Sequence, residues 1–133
     1  MIYIDTGAFL ARYVKSDQYH EQAVEFWNRL HKTQERCFTS NFVVGETLTL
    51  LGRRAGYPFA IQRARIIYSS RELNILRPTL EDELQAVDIW EKYADQDLSF
   101  ADCISFSLMR NNKIKRVFSF DRHFEFAGFK LLP

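Results

Sequence analysis

Short apolar runs alternate with longer amphipathic stretches along this chain, and the two periods predict different elements. Ile2-Tyr3-Ile4 reads as a strand ending at Asp5. Residues 8–14 read as a brief helix. Ser16 or Asp17 then caps a helix to about His31, with Ala23, Phe26, Trp27 and Leu30 on one face. Cys37–Thr39 reads as a strand. Asn41 to about Ala55 reads as a helix, closed by Gly56 and Pro58. A further helix is expected from about Pro58 to Ser70, and Asn74–Arg77 reads as a strand stopped by Pro78. Thr79 caps a helix whose first turn holds Glu81, Asp82 and Glu83, where the helix dipole favours acids. Leu84, Val87, Trp90 and Ala94 are expected to share its buried face. Ser99 starts a helix to about Asn111, Lys115–Phe120 reads as a strand, and Phe129–Leu132 as a last one. Helices alternating with strands in this way imply an α/β fold, with a mainly parallel central sheet and helices on both faces.

Composition changes this picture little. A chain of 133 residues, 47% hydrophobic, is expected to form a single domain over residues 1–133 with a core of its own. Cys37 and Cys103 lie far apart with no CxxC, so a reducing, cytoplasmic compartment is the simpler expectation. Met1-Ile-Tyr-Ile-Asp5 lacks the basic start and long apolar run of a signal peptide. No stretch of 18 apolar residues exists, so no membrane helix is expected.

Charge says more by its distribution than by its net value of +1. Residues 50–77 carry Arg53, Arg54, Arg63, Arg65, Arg71 and Arg77 against Glu72 alone, whereas residues 78–102 carry eight acids against Lys92. Residues 103–133 turn basic again. Solvated helix faces of mixed sign would look like this. So would a basic rim beside an acidic centre, which is what a nuclease needs: carboxylates for a cation, and Arg or Lys for the phosphate backbone.

In parallel α/β sheets, ligands bind beyond the carboxyl ends of the strands. Asp5 and Asp121 each follow a predicted strand directly. Asp102 falls in the first turn of the helix begun at Ser99, and Glu46 lies early in the helix after the second strand. Four acids can therefore converge at one sheet edge. Each also has a local explanation: Asp5 as a helix cap, Asp121 as a turn starter, Asp102 as the partner of Ser99 in a capping box, Glu46 as a helix-surface residue. For Glu46, the apolar neighbours Val43, Val44, Leu48, Leu50 and Leu51 predict burial, and a buried Glu needs a partner. Clustered carboxylates repel unless cations neutralise them, and oxygen-only ligands suit Mg²⁺ or Mn²⁺.

The pieces Ile4-Asp5-Thr6, Glu46 within Asn41-Phe-Val-Val-Gly-Glu46-Thr47, Leu98-Ser-Phe-Ala-Asp102 and Phe118-Ser-Phe-Asp-Arg-His-Phe124 run from end to end of the chain. In that order and spacing the chain resembles a PIN-domain nuclease, of the kind found in VapC-type toxins of toxin–antitoxin pairs. The resemblance implies a PIN fold and Mg²⁺- or Mn²⁺-dependent hydrolysis of RNA phosphodiesters. It implies that Asp5, Glu46, Asp102 and Asp121 form the catalytic, metal-binding site, with Thr6, Ser99 and Ser119 supporting it. It also implies a homodimer and, for a toxin, a cognate antitoxin. Asp97 is an extra acid near the motif, expected to lie in a loop.

Other readings fit less well. Aspartyl-phosphate hydrolases typically show D-x-D after the first strand, and residue 7 is Gly. His20, His31 and His123 form no ligand pair. A catalytically silent PIN-fold RNA-binding module, or a stand-alone RNA-processing nuclease, would share most of the pattern. The expected chemistry is in-line attack of a cation-activated water on phosphorus, leaving a 5′-phosphate and a 3′-OH. The expected substrate is single-stranded or looped RNA. Arg53, Arg54, Arg63 and Arg65, interleaved with Tyr57, Phe59 and Tyr68, are the candidate RNA contacts, although the aromatics also suit a core or a dimer surface. The chain ends just after a predicted strand, so no tail is expected to cover the site; an antitoxin tail could instead reach the acids with Arg or Lys and dock along residues 41–70.

Overall fold

The computed structural model describes residues 1–133. Five strands, β1 (Ile2–Ile4), β2 (Cys37–Ser40), β3 (Leu73–Leu76), β4 (Arg116–Phe118) and β5 (Lys130–Leu132), form one sheet in the order β3-β2-β1-β4-β5. Every neighbouring pair is parallel. The chain winds outward from β1 in one direction, then returns across the sheet to β4 and winds outward in the other. The order therefore reverses between β1 and β4, the place where parallel sheets open a crevice.

Seven helices connect the strands: α1 (Thr6–Tyr13), α2 (His20–Thr33), α3 (Asn41–Ala55), α4 (Tyr57–Ser69), α5 (Leu80–Lys92), α6 (Phe100–Asn111) and α7 (His123–Phe126). Right-handed crossovers put α1–α4 on one face and α5–α7 on the other. Side-chain contacts agree. Phe118 of β4 meets Phe26 edge-on at a centroid distance of 4.6 Å, with Trp27 at 5.4 Å, while Tyr3 of β1 turns to the opposite face and shares a 2.9 Å hydrogen bond with Ser105 of α6. Full burial of one such aromatic is worth about 1.5–3 kcal/mol, and residues from both faces join one core cluster. No helix is long and apolar enough to cross a membrane.

Three expectations need correcting. The second helix begins at His20, not at Ser16 or Asp17; residues 14–19 form turns in which Asp17 accepts a 2.8 Å hydrogen bond from the Tyr19 amide. On α5 the buried residues are Ala86 and Ile89, whereas Leu84, Val87, Trp90 and Ala94 are exposed. The small Ala86 lets α5 lie close against α6, leaving the bulkier stripe outside. Helix α7 went unpredicted because four residues are too short to show a period.

Gly52, within α3, gives the Tyr57 ring of α4 room to lie against the helix at the α3–α4 corner: a Cβ there would stand 2.9 Å from that ring. Gly56 at the corner itself has φ +90°, a conformation L side chains rarely adopt. Cys37 and Cys103 are free and buried, and burial pushes both thiols up to about 11, which leaves them unreactive at neutral pH.

Candidate active site

Asp5 and Asp121 leave the carboxyl ends of the adjacent strands β1 and β4, on either side of the reversal point. The Asp5 amide continues the β1–β4 pairing by donating to the Phe118 carbonyl at 3.1 Å. Asp102 enters from the first turn of α6 and Glu46 from the second turn of α3. All four line one cleft of about 710 Å³, together with Thr6, Ser99 and Ser119. A second concavity of about 760 Å³, between α1, α2, α4 and β3, holds none of the four.

Local hydrogen bonds separate the four acids. Asp5 occupies the N-cap position of α1, yet its side chain makes no cap bond. Its carboxylate instead accepts from the Ser119 hydroxyl at 2.8 Å, and Ser119 in turn accepts from the Asp121 amide at 3.0 Å. One buried hydroxyl therefore ties the ends of two strands together. Thr6 donates to Glu46 Oε2 at 2.9 Å, which links α1 to α3. Glu46 itself is exposed, contrary to the expectation of burial: its apolar neighbours turn inward while Glu46 faces the cleft mouth. Asp102 does complete a capping box, accepting from the Ser99 amide at 3.0 Å while Ser99 Oγ accepts from the Asp102 amide at 3.1 Å. Asp121 does start a turn, accepting from the His123 amide at 2.9 Å, and its carboxylate lies 2.8 Å from His123 Nδ1. The local roles of Asp102 and Asp121 and their place in the cleft are thus not exclusive.

Three of the acids are near enough to feel one another's charge. Burial pushes Asp5 up to about 7; the Ser119 hydrogen bond opposes this, and the charges of Asp102 and Asp121 add to it. Asp102 is raised as well, first by burial and then by Asp121, against the two bonds from Ser99. No Lys, Arg or His lies within ion-pair distance of Asp5, Glu46 or Asp102. An oxygen-only, uncompensated set of this kind suits a hard divalent cation. In this arrangement no three of the acids are drawn together tightly enough to hold an ion.

Of the four candidate arginines, only Arg54 lines the cleft. Arg53 and Arg65 are exposed elsewhere, and Arg63 packs its guanidinium over Phe59 at 4.9 Å and Tyr13 at 5.4 Å. Asp97 lines the cleft from a loop. Gln18, Tyr19 and Phe120 also line it and escaped the sequence reading. Residues 16–19 read there as the start of a helix, and nothing in their spacing signalled a site.

Residues 2–130 match the PIN domain family model, and the chain belongs to the PIN-domain family. Within that family it is similar to the 23S rRNA-specific endonuclease VapC20 of Mycobacterium tuberculosis, 34% identical over 129 residues that cover 97% of this chain and 95% of the relative. The crystal structure of that VapC20, described as a sarcin-ricin loop cleaving toxin, superposes with a TM-score of 0.86 at 33% identity, covering 97% and 96% of the two chains. The fold is shared more distantly with a toxin–antitoxin complex from Klebsiella pneumoniae (TM-score 0.65, 17% identity, 100% and 97% covered) and with FitAcB from Neisseria gonorrhoeae (0.68, 14%, 100% and 97%).

Proposed function

We propose that this protein is a VapC-type endoribonuclease toxin that cleaves RNA with Mg²⁺ or Mn²⁺ held by Asp5, Glu46, Asp102 and Asp121. The observation that carries the reading is the uncompensated carboxylate cluster at the reversal point of the sheet, in a chain one-third identical to an rRNA endonuclease along its whole length. A bound divalent cation supplies Lewis acidity, acidifying water and neutralising charge on the scissile phosphate.

The chain's own residues do the rest. Ser119 fixes the Asp5 carboxylate by one oxygen and leaves the other free; the Ser99 amide does the same for Asp102. Two ligands are therefore preorganised on rigid elements. Glu46, bonded by Thr6, and Asp121, bonded by the His123 amide, would complete the set around the cation. Arg54, across the cleft, holds a phosphate of the RNA backbone. Burial penalises the charge on Asp5, so a cation that offsets it would favour the ionised, ligating carboxylate.

RNA in the cytoplasm is the substrate, and the similarity to VapC20 favours a structured rRNA loop with unpaired bases. Two protein partners complete the reading. An antitoxin reaches the acids with a basic side chain and docks on the exposed Tyr57, Ile61, Ile66 and Tyr68 of α4. A second copy of the chain covers an apolar face such as Leu80, Leu84 and Val87 of α5, since contiguous exposed apolar surface marks an interface.

The test is cleavage of ribosomal RNA by purified protein. Activity should vanish in EDTA and return with Mg²⁺ or Mn²⁺. Undiminished cleavage in excess chelator would remove the metal mechanism; no cleavage under any cation would favour a silent RNA-binding module.

A further inference from the structure

The aromatic side chains at the cleft form a ladder that runs from the core to the surface. Phe118, fully buried, meets Phe120 edge-on at 6.0 Å and 74°. Phe120 then stacks on Tyr19 with ring centroids 4.3 Å apart and planes within 3°. Tyr19 ends the ladder 37% exposed, and both Tyr19 and Phe120 line the same cleft as the four acids and Arg54.

We propose that Tyr19 is the stacking platform for one unpaired nucleobase of the RNA, adjacent to the scissile phosphate. This rests on the endoribonuclease reading and deepens it by naming a base-binding subsite. Three features support it. The ladder is already parallel at its outer rung, and Tyr19 is 37% exposed, so a base stacked on it continues an existing stack rather than creating one. The platform is preorganised: the Asp17 carboxylate accepts from the Tyr19 amide at 2.8 Å, and the next residue, His20, bonds through Nδ1 to the Ala11 carbonyl oxygen at 2.7 Å. Little chain entropy is then lost when a base arrives. Lastly, an acidic cleft offers an RNA strand poor electrostatics apart from Arg54 and a bound cation, so affinity must come from uncharged contacts, and aromatic faces supply them to any base.

The platform is tested with Tyr19→Ala, Tyr19→Leu and Tyr19→Phe, each checked for unchanged circular dichroism. The probe is a short oligoribonucleotide hairpin with unpaired loop bases, measured by binding anisotropy in chelator and by steady-state cleavage in Mn²⁺. Ala and Leu should weaken binding and raise KM by about 5- to 150-fold, the range that one lost base stack corresponds to, with kcat little changed. Phe should behave as the wild type. Replacing single nucleotides by abasic units should reveal one position that costs the wild type this factor and costs Tyr19→Ala nothing more. Wild-type KM in both Ala and Leu variants, with the abasic profile intact, overturns the platform while leaving the nuclease standing. So does unchanged RNA affinity accompanied by loss of a protein partner, which would make Tyr19 a protein contact. Wild-type protein that neither binds nor cleaves RNA overturns the platform together with the reading beneath it.

Discussion

Helices α5 and α6 open in the same way, and their first turns have opposite fates. Each begins with a hydroxyl residue and an aspartate three positions on, Thr79 with Asp82 and Ser99 with Asp102, and each forms a complete capping box. The backbone amide reaches the carboxylate at 2.9 Å in one and 3.0 Å in the other. Yet the Thr79 amide bond, helped by Asn111 at 2.6 Å, holds Asp82 below the usual carboxylate range, whereas burial and Asp121 hold Asp102 above it. Identical local chemistry thus yields a stabilising cap at one helix and a charge at odds with its surroundings at the other. The difference comes from the third dimension alone: α6 starts at the reversal point of the sheet, facing β1 and β4, and α5 starts at the β3 end.

The largest expected effect is on catalysis. Asp102→Asn should reduce RNA cleavage by more than about 100-fold, beyond the 10–100-fold that loss of an outer supporting partner costs. Asp82→Asn should leave the rate unchanged. Equal rates in the two variants would mean that both aspartates are caps only.

Next comes pH. Folding raises Asp5 to about 7, above the value near 4 expected for an unfolded aspartate. The folded chain therefore holds a proton that the unfolded chain has released. Its contribution is fully present below about pH 4 and is lost as pH rises through about 7, an effect of order a few kcal/mol. In chelator, the melting temperature of wild-type protein relative to Asp5→Asn should fall from pH 5 to pH 8, and Mn²⁺ should recover part of the loss at pH 8. A difference between the two proteins that does not change with pH would show that Asp5 is not under strain.

The two capping aspartates should then split in sign. At pH 8 without metal, Asp102→Asn keeps a cap acceptor and removes a disfavoured charge, so its melting temperature should rise. Asp82→Asn removes a favoured charge and should melt lower. Shifts of the same sign would erase the contrast between the helices.

The smallest effect concerns salt. Arg54→Ala should flatten the dependence of single-stranded RNA binding on salt by about 0.7 in the log–log slope, one phosphate contact. Arg63→Ala, whose guanidinium packs on Phe59 and Tyr13, should leave the slope alone. The reverse result would place the strand across α4 instead of the acidic cleft.

Sequence patterns revealed the strands and long helices because each carries a clean period between strong stops, as with Asn41–Ala55 before Gly56. The parallel sheet followed from alternation, and the acids followed from their positions just after strands. What stayed hidden was any choice between equivalent local options. Helix α5 carries two apolar stripes, and only packing against α6 decides that Ala86 and Ile89 go inside. Glu46 has apolar neighbours on both sides, and only the position of Thr6 on α1 reveals which way it turns. Arg54 and Arg65 are alike in sequence, but one lines the cleft and the other does not. Tyr19 acquires its place only because the chain reaches α2 through a turn instead of a longer helix.

The indole of Trp90 donates to the Leu98 carbonyl at 2.9 Å, immediately before the segment that carries Ser99 and Asp102. The ring is partly exposed and also packs against Phe100 at 5.6 Å. The other tryptophan, Trp27, lies on the opposite face of the sheet among Phe9 and Phe118. The molecule therefore carries its own pair of fluorophores, one tethered to the acidic rim by its indole N–H and one packed on the core at the other face of the sheet. Any occupant that tightens the 97–102 segment changes the emission and quenching of the first, so filling of the cleft can be followed in unlabelled protein.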